Sequence, residues 1–164
     1  GCLVPKGQFS AVETQNRVLT EQTRAQLAEI ENLKAHARTK EDQLNAMVTD
    51  VRESNKQTQE LIASAREVIA EDRRRLAAVE KRHKAGQATE AELAATRARV
   101  SENKTVVAQA TKGAREKSTM FQGAEREYRQ QNPDANTAPL QSEIKAFNQQ
   151  IETLDGLADT ISVA

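Results

Sequence analysis

The chemically reactive side chains of this sequence are few and lie far apart along the chain. Cys2 is the only cysteine, which excludes a disulfide within the chain and a paired-cysteine metal or redox site. His36 and His83 are the only histidines, and neither has the cysteine neighbours or the HExxH spacing of a zinc site. A G-x-S-x-G elbow and a glycine-rich phosphate loop are also missing. We therefore predict no enzyme, no metal, no cofactor and no small-molecule substrate.

A run of cations, called here the basic segment, precedes Gly86. From Glu71 to Lys84, six cations oppose three acidic residues and leave a local charge of +3. Such a surface attracts anionic partners, although cations also suit the negative end of a helix dipole. Nucleic acid is excluded because the chain has zero net charge and no aromatic platform beside the arginines. The candidate partner-binding residues are Arg73, Arg74, Arg75, Lys81, Arg82 and Lys84.

The composition indicates which elements must position these residues. Aromatic residues make up 2% of the 164 residues and hydrophobic residues 37%, below the usual 45–50% of globular domains. Six glycines and three prolines are too few for the turns of a sheet protein, whereas Ala, Glu, Gln, Lys and Arg favour helices. No apolar run approaches the ~18 residues of a membrane span. The sequence predicts an all-α fold built from long helices.

Apolar residues at 3-4 spacing predict a long antiparallel helical hairpin, or coiled coil, over residues 10–131. Ser10 and Glu13 have the spacing of a capping box at its start. The spacing slips at Val51, a stutter that locally unwinds a supercoil, and the seam then continues through Asp72 to Val79. In the second helix an unbroken heptad is predicted, with Asn103, Lys117 and Ala124 among its core positions. The first seam comprises Val12, Asn16, Leu19, Thr23, Gln26, Ile30, Leu33, Ala37, Lys40, Leu44, Met47 and Val51.

The turn of the hairpin is predicted near residues 84–89. Gly86 follows a basic helix end and can adopt the left-handed conformation that terminates helices. Thr89 and Glu92 then have capping-box spacing for the next helix. Two long helices separated by so short a break form an αα-hairpin.

A third, shorter amphipathic helix is predicted over residues 140–164, after a break at 132–139 that contains Pro133 and Pro139. Its predicted core positions are Leu140, Ile144, Phe147, Ile151, Leu154, Ala158 and Ile161. At 1.5 Å per residue the first helix is about 110 Å long and the second about 65 Å. If the third helix continues in the same direction, it covers the remaining half of the first as an interrupted second arm. This is the preferred arrangement, and a local three-helix bundle is the alternative. In either case the seams are narrow, so we expect a homo-oligomer or an envelope protein partner to cover them.

The first residues, GCLVPKGQFSAVETQNRVLTEQ, resemble the mature end of a bacterial lipoprotein. Gly1 and Cys2 match the last two positions of the lipobox, and the hydrophobic-Pro-Lys-aromatic linker over residues 1–9 is similar to that of Gram-negative outer-membrane lipoproteins. The resemblance extends to about Leu33. It implies that Cys2 is acylated and anchors the chain to a membrane. Leu3, rather than Asp, implies the outer membrane, with the chain facing the periplasm. Two or more acyl chains anchor a protein stably, whereas one does so only marginally.

A second, local resemblance lies at the turn. The stretch EKRHKAGQATEAELAATRARV is similar to the hairpin of the outer-membrane efflux factors, with His83 at an aromatic position of their turn. That family also has barrel strands, which this sequence does not predict.

Three functional hypotheses follow from these patterns. The first is a lipid-anchored periplasmic structural or adaptor lipoprotein that acts through coiled-coil self-association or partner binding. The second is a subunit of an envelope machine for secretion, motility or efflux, docked through the basic segment. The third is a soluble cytoplasmic coiled-coil scaffold in which Cys2 has no role.

Overall fold

A computed structural model describes the backbone of residues 6–161 and the side chains of residues 13, 14, 17, 18 and 20–161. In this part of the chain there are three helices and no strands. They are α1 (Lys6–Lys84), α2 (Glu90–Gln131) and α3 (Ala138–Asp159). The prediction of an all-α fold is confirmed. None of the described helices contains a stretch that is long and apolar enough to cross a bilayer.

Helix α1 begins at Lys6, four residues before the predicted start, so the capping box of Ser10 and Glu13 is wrong as a helix start. The sequence explains the difference. Proline excludes helical conformation mainly at the residue before it, so a helix is permitted as soon as Pro5 is passed. No proline or glycine then interrupts the chain between Gln8 and Ala85.

The hairpin turn has the predicted chemistry. Gly86 has a φ of +72°, which a residue with a side chain rarely adopts. The Gly86 N–H donates to the carbonyl of His83 at 3.0 Å, and the Gln87 N–H donates to that of Arg82 at 2.8 Å, the two bonds of a Schellman motif. The Thr89 hydroxyl then accepts from the Glu92 N–H at 3.1 Å. The turn therefore ends one helix and caps the next without unpaired backbone groups at these positions.

The break between α2 and α3 begins where Pro133 forces the preceding residue out of the helical region. Asn132 has φ −133° and ψ 72°, and its backbone and side-chain amides both donate to the Tyr128 carbonyl at 2.9 Å. Helix α3 restarts with Pro139 in its first turn, a position where proline is tolerated because its missing N–H has no helical partner. The two prolines thus bracket a short connection of the length common between packed helices.

The chain divides into two compact units, Gly1–Gln43 and Leu44–Ala164. In the second unit α3 lies antiparallel to α2 and alongside α1. Arg52 Nε pairs with Glu143 at 2.8 Å and Arg73 with the Thr160 carbonyl at 3.0 Å, so α3 and this part of α1 run in the same direction. The second unit is therefore a three-helix bundle, which confirms the alternative arrangement.

The preferred arrangement, an interrupted second arm covering the early part of α1, is wrong. Helix α3 turns back towards the hairpin turn instead. The row of apolar side chains along α3 explains this direction. In the bundle this row contacts both α1 and α2, whereas in an interrupted arm it would contact α1 alone. Leu140, Phe147 and Leu154 are fully buried, and each such side chain contributes about 1.5–3 kcal/mol when it leaves water.

Two apolar clusters form the core of this bundle, and all seven predicted core positions of α3 belong to them. One cluster includes Ile62, Ile69 and Val100 together with the C-terminal part of α3. The other includes Val51, Phe147 and Ile151, with Phe121 edge-on to Phe147 at a ring separation of 5.9 Å. The buried residues of α3 and its end are Leu140, Ile144, Phe147, Ile151, Leu154, Ala158 and Ile161.

The unbroken heptad predicted for α2 is wrong in its second half. Lys117 and Ala124 are exposed, whereas Ser118 and Glu125 are buried. Thr111, four residues after Val107, is buried, and this additional step of four is a stutter. Helix α3 is the cause, because it packs on the face that these two polar residues share.

Candidate interaction surfaces

The basic segment of α1 is partly neutralised by contacts within the bundle. Arg73 donates to the last carbonyl of α3, at Thr160, and so holds that helix end. Arg75 forms an ion pair with Glu71, one helical turn earlier. Both side chains are exposed but bind other groups of the bundle, which reduces what they can offer to another molecule.

At the hairpin turn, glutamates at the start of α2 lie close to cations at the end of α1. Arg82 Nη1 pairs with Glu92 Oε1 at 2.8 Å, and His83 Nε2 lies 2.8 Å from Glu90 Oε1. Between residues 80 and 92 there are three lysines or arginines and three glutamates. With His83 neutral, the turn therefore has no net charge, because the glutamates that begin α2 lie against the cations that end α1.

Three of the six candidate residues remain available on this surface. Arg74, Lys81 and Lys84 are exposed, and no hydrogen bond or ion pair of the described residues engages them. The structure therefore separates the basic segment into three cations used within the bundle and three that face solvent. Sequence reasoning missed this division because it counted charges on one side of the turn only.

The predicted lipidation residue, Cys2, lies outside the described residues. His36 is exposed on α1, far along the chain from His83 at the turn. Among the described side chains of residues 13–161, which leave out residues 15, 16 and 19, no group of three or more His, Cys, Asp or Glu is placed to hold a metal ion.

An open polar cleft of about 360 Å³ lies between α2 and α3. Its hydroxyl, Ser118 Oγ, donates to Asn148 Oδ1 and accepts from Gln122 Nε2 at 3.0 Å. At the rim, Arg115 bridges Glu152 at 2.8 Å and Asp155 at 3.0 Å. The hydrogen bond that Arg115 donates to Glu152 raises the pKa of Arg115 above its ordinary value, and this ion pair joins α2 to α3. The cleft is thus lined by polar groups that bind one another.

Two buried carboxylates join the helices of the bundle. Asp72 Oδ2 accepts from Asn103 Nδ2 at 2.7 Å and is 5% exposed. This pair crosses from α1 to α2, where the sequence pattern places both residues on the seam. A buried polar pair of this kind fixes the register of two helices, because any shift leaves a charge unpaired.

Glu125 is the second buried carboxylate and lies where α2 meets the start of α3. Its Oε1 accepts from Thr137 Oγ1 at 2.8 Å and from Gln141 Nε2 at 2.9 Å, and Arg129 Nε lies 3.4 Å away. Desolvation alone raises the pKa of Glu125, but the hydrogen bonds from Gln141 and Thr137, with the nearby arginines, outweigh it and lower the pKa. Glu125 thus stays ionised and holds α3 at its N-terminal end. The predicted heptad placed Ala124 rather than Glu125 on the seam, so the sequence pattern missed this residue.

The first unit contains four of the eight large apolar side chains that are exposed among the described residues. Every side chain from residue 20 to residue 39 is exposed. Three large apolar side chains lie within two helical turns: Leu27 is 58% exposed, Ile30 46% and Leu33 61%. We call these three residues the apolar stripe. Ile30 and Leu33 occupy the core positions of the predicted heptad, so the surface is the seam that the sequence predicts, uncovered within this chain.

Comparison with known proteins gives no match to this chain among protein-family models, curated proteins or solved structures.

Proposed function

We propose that this protein is a lipid-anchored structural or adaptor lipoprotein of the bacterial envelope. Acyl groups on Cys2 hold it to the outer membrane, and its helices face the periplasm. It acts through helix-to-helix contacts, with itself or with another envelope protein. The observation that carries the proposal is the apolar stripe, which lies in α1 between the Gly-Cys terminus and the three-helix bundle.

The core of the bundle is made by residues 44–161, so the exposed seam of residues 20–39 is not needed to fold it. A contiguous exposed apolar surface on a soluble chain is characteristic of an interaction site. The lipoprotein-like terminus supplies the setting, since two or more acyl chains give stable membrane anchoring.

The neutral charge of the hairpin turn favours this proposal over docking of an envelope machine through the basic segment. A docking surface for an anionic partner needs excess positive charge. Here Glu90 and Glu92 approach the cations of the turn, and three of the six candidate cations are engaged within the bundle.

Mass spectrometry of the protein isolated from its native cells tests the anchor. Trypsin releases a peptide that ends at Lys6, and we expect it to begin at Cys2 with the mass of a diacylglyceryl group and an N-acyl chain. A Cys2→Ser variant expressed from the same gene is the matched control. It should lack the added mass and leave the membrane fraction. A wild-type peptide that begins before Cys2, or has an unmodified thiol, would contradict the proposal.

Leu3 provides a second arm of the same experiment. If it directs the acylated chain to the outer membrane, Leu3→Asp should move the protein to the inner-membrane fraction on a density gradient while leaving Cys2 acylated. Equal distribution of the two variants would contradict the outer-membrane part of the proposal alone.

A further inference from the structure

The apolar stripe lies on one face of α1, and the heptad assigns the neighbouring charges to positions beside it. Ile30 occupies an a position and Leu33 a d position of the seam. The g positions that flank it are then Glu29 and His36, and the following e positions are Lys34 and Glu41. All four flanking side chains are exposed. They are therefore placed to meet the flanking residues of a second helix.

We propose that the stripe is covered by a second copy of this chain, in a parallel and in-register coiled coil over residues 23–37. In this alignment each g residue faces the e residue five positions later in the other copy. Glu29 then faces Lys34 of the second copy, and two-fold symmetry forms the pair twice. His36 faces Glu41 of the second copy, a contact without repulsion. The charges on both sides of the stripe are thus complementary to those of an identical helix.

The antiparallel alignment gives a poorer match. With Ile30 against Leu33 of the second copy, Lys34 lies beside the apolar Leu27 rather than beside a carboxylate. Glu29 lies beside His36, so the alignment has no lysine–glutamate pair. The parallel alignment therefore accounts better for the positions of Glu29 and Lys34.

The seam also indicates where the coiled coil stops. Lys40 occupies the d position after Ala37, and in a parallel pair its ammonium faces that of the second copy. Within its own helix, Lys34 Nζ lies 3.9 Å from Glu31 Oε1, and both side chains are exposed. Because an exposed ion pair is weak, Lys34 can leave Glu31 and pair with Glu29 of the second copy. A seam this short, with Thr23 and Gln26 among its core positions, predicts a weak and concentration-dependent dimer.

This inference rests on the proposed function for its setting, since it names the partner that the apolar stripe binds. Two chains anchored by Cys2 to one membrane surface have their α1 helices starting from the same side, which suits the parallel alignment. Confinement to a surface also raises the effective concentration, so a weak contact becomes sufficient. The dimer is nevertheless tested without lipid, so the two proposals can fail separately.

The orientation is tested by disulfide formation in the full chain with Cys2→Ser. We expect Gln26→Cys alone, and Ala37→Cys alone, to form disulfide-linked dimers under mild oxidation. A mixture of the two should form few mixed disulfides, because residues 26 and 37 of different copies meet only in the antiparallel alignment. Predominant mixed disulfides would overturn the parallel proposal. The absence of any dimer, up to the solubility limit of the chain, would overturn self-association itself.

The charge pairs are tested by sedimentation equilibrium on the same background. Lys34→Glu converts two attractive pairs into repulsive ones, so we expect dimerisation to weaken about tenfold. The double variant Glu29→Lys with Lys34→Glu should restore it, because the pairs form again with exchanged signs. Arg38→Glu, which makes the same charge change at a position away from the seam, is the matched control. An equal effect of Lys34→Glu and Arg38→Glu, or no rescue, would overturn the assignment.

Discussion

At the scale of single residues, buried carboxylates define how the helices of the bundle meet. Asp72 and Glu125 are both buried, and each accepts a hydrogen bond from another element. An unpaired buried charge costs several kcal/mol. A shift of α2 past α1, or a displacement of α3, would therefore be penalised at these two positions even where apolar contacts could be replaced.

Glu125 makes this role testable through pH. Its pKa is lowered in the folded chain, so its contribution to stability is present above the pKa of the unfolded chain and is lost as pH falls through the folded value. We expect Glu125→Gln to lower the free energy of unfolding by about 1–2 kcal/mol at pH 7. The difference from wild type should shrink at pH 3. Urea unfolding at the two pH values measures it.

The control for this prediction is Glu102→Gln, an exposed glutamate of the same helix. It should change the unfolding free energy by less than about 0.5 kcal/mol at both pH values. A Glu125→Gln effect that is equally large at pH 3 and pH 7 would mean that side-chain shape, and not the charge, accounts for the contact.

At the scale of elements, glycines within α2 weaken the helix without serving the packing. An added Cβ at Gly113 or Gly123 meets nothing within 4 Å, so neither residue permits a close helix approach. Glycine in a helix interior costs about 1 kcal/mol relative to alanine. We expect Gly113→Ala and Gly123→Ala each to raise the unfolding free energy by about 0.5–1 kcal/mol, measured by urea unfolding.

Gly86→Ala is the matched opposite case. A Cβ there also meets nothing within 4 Å, but the residue has a φ of +72°, where an L side chain is strained by roughly 1–2 kcal/mol. The same substitution should therefore destabilise the chain at the turn. Stabilisation at all three sites would show that open space alone, and not backbone conformation, decides the outcome.

Local signals predicted the elements well, because helix ends depend on neighbouring residues. Helices end or begin at Gly86, Thr89 and Pro133, as the chemistry of these residues requires. The apolar side chains of α3 are buried at each predicted position. The direction of α3 was not predictable from its own pattern, since a 3-4 stripe packs equally well in either arrangement. The stutter in α2 was missed for the same reason, because Ser118 and Glu125 are buried only when α3 packs against them.

At the scale of the whole molecule, the residues that form the core and the residues that expose the predicted seam lie in different parts of the chain. Both apolar clusters and the ion pairs that link different helices lie within residues 44–161 of the described chain. Three of the four acidic residues of α3, namely Glu143, Glu152 and Asp155, pair with Arg52 or Arg115 of the other two helices. Residues 20–39, in contrast, expose every side chain.

This division predicts that the bundle folds without the first unit. A fragment of residues 41–164 retains Glu41 and Asp42 at its new helix start, where carboxylates favour the helix dipole. We expect its urea unfolding to be cooperative, with a midpoint close to that of the full chain at a concentration where the full chain is monomeric. The fragment should also fail to dimerise, because it lacks the apolar stripe.

The matched truncation at the other end should behave differently. A chain that stops at Asn136 loses the fully buried Leu140, Phe147 and Leu154, and truncating even one large core side chain costs about 2–5 kcal/mol. We expect this chain to lose cooperative unfolding although it keeps α1 and α2 complete. If instead fragment 41–164 unfolds without cooperativity and the chain ending at Asn136 does not, the early part of α1 stabilises the fold. The apolar stripe would then belong to the core rather than to an interaction surface.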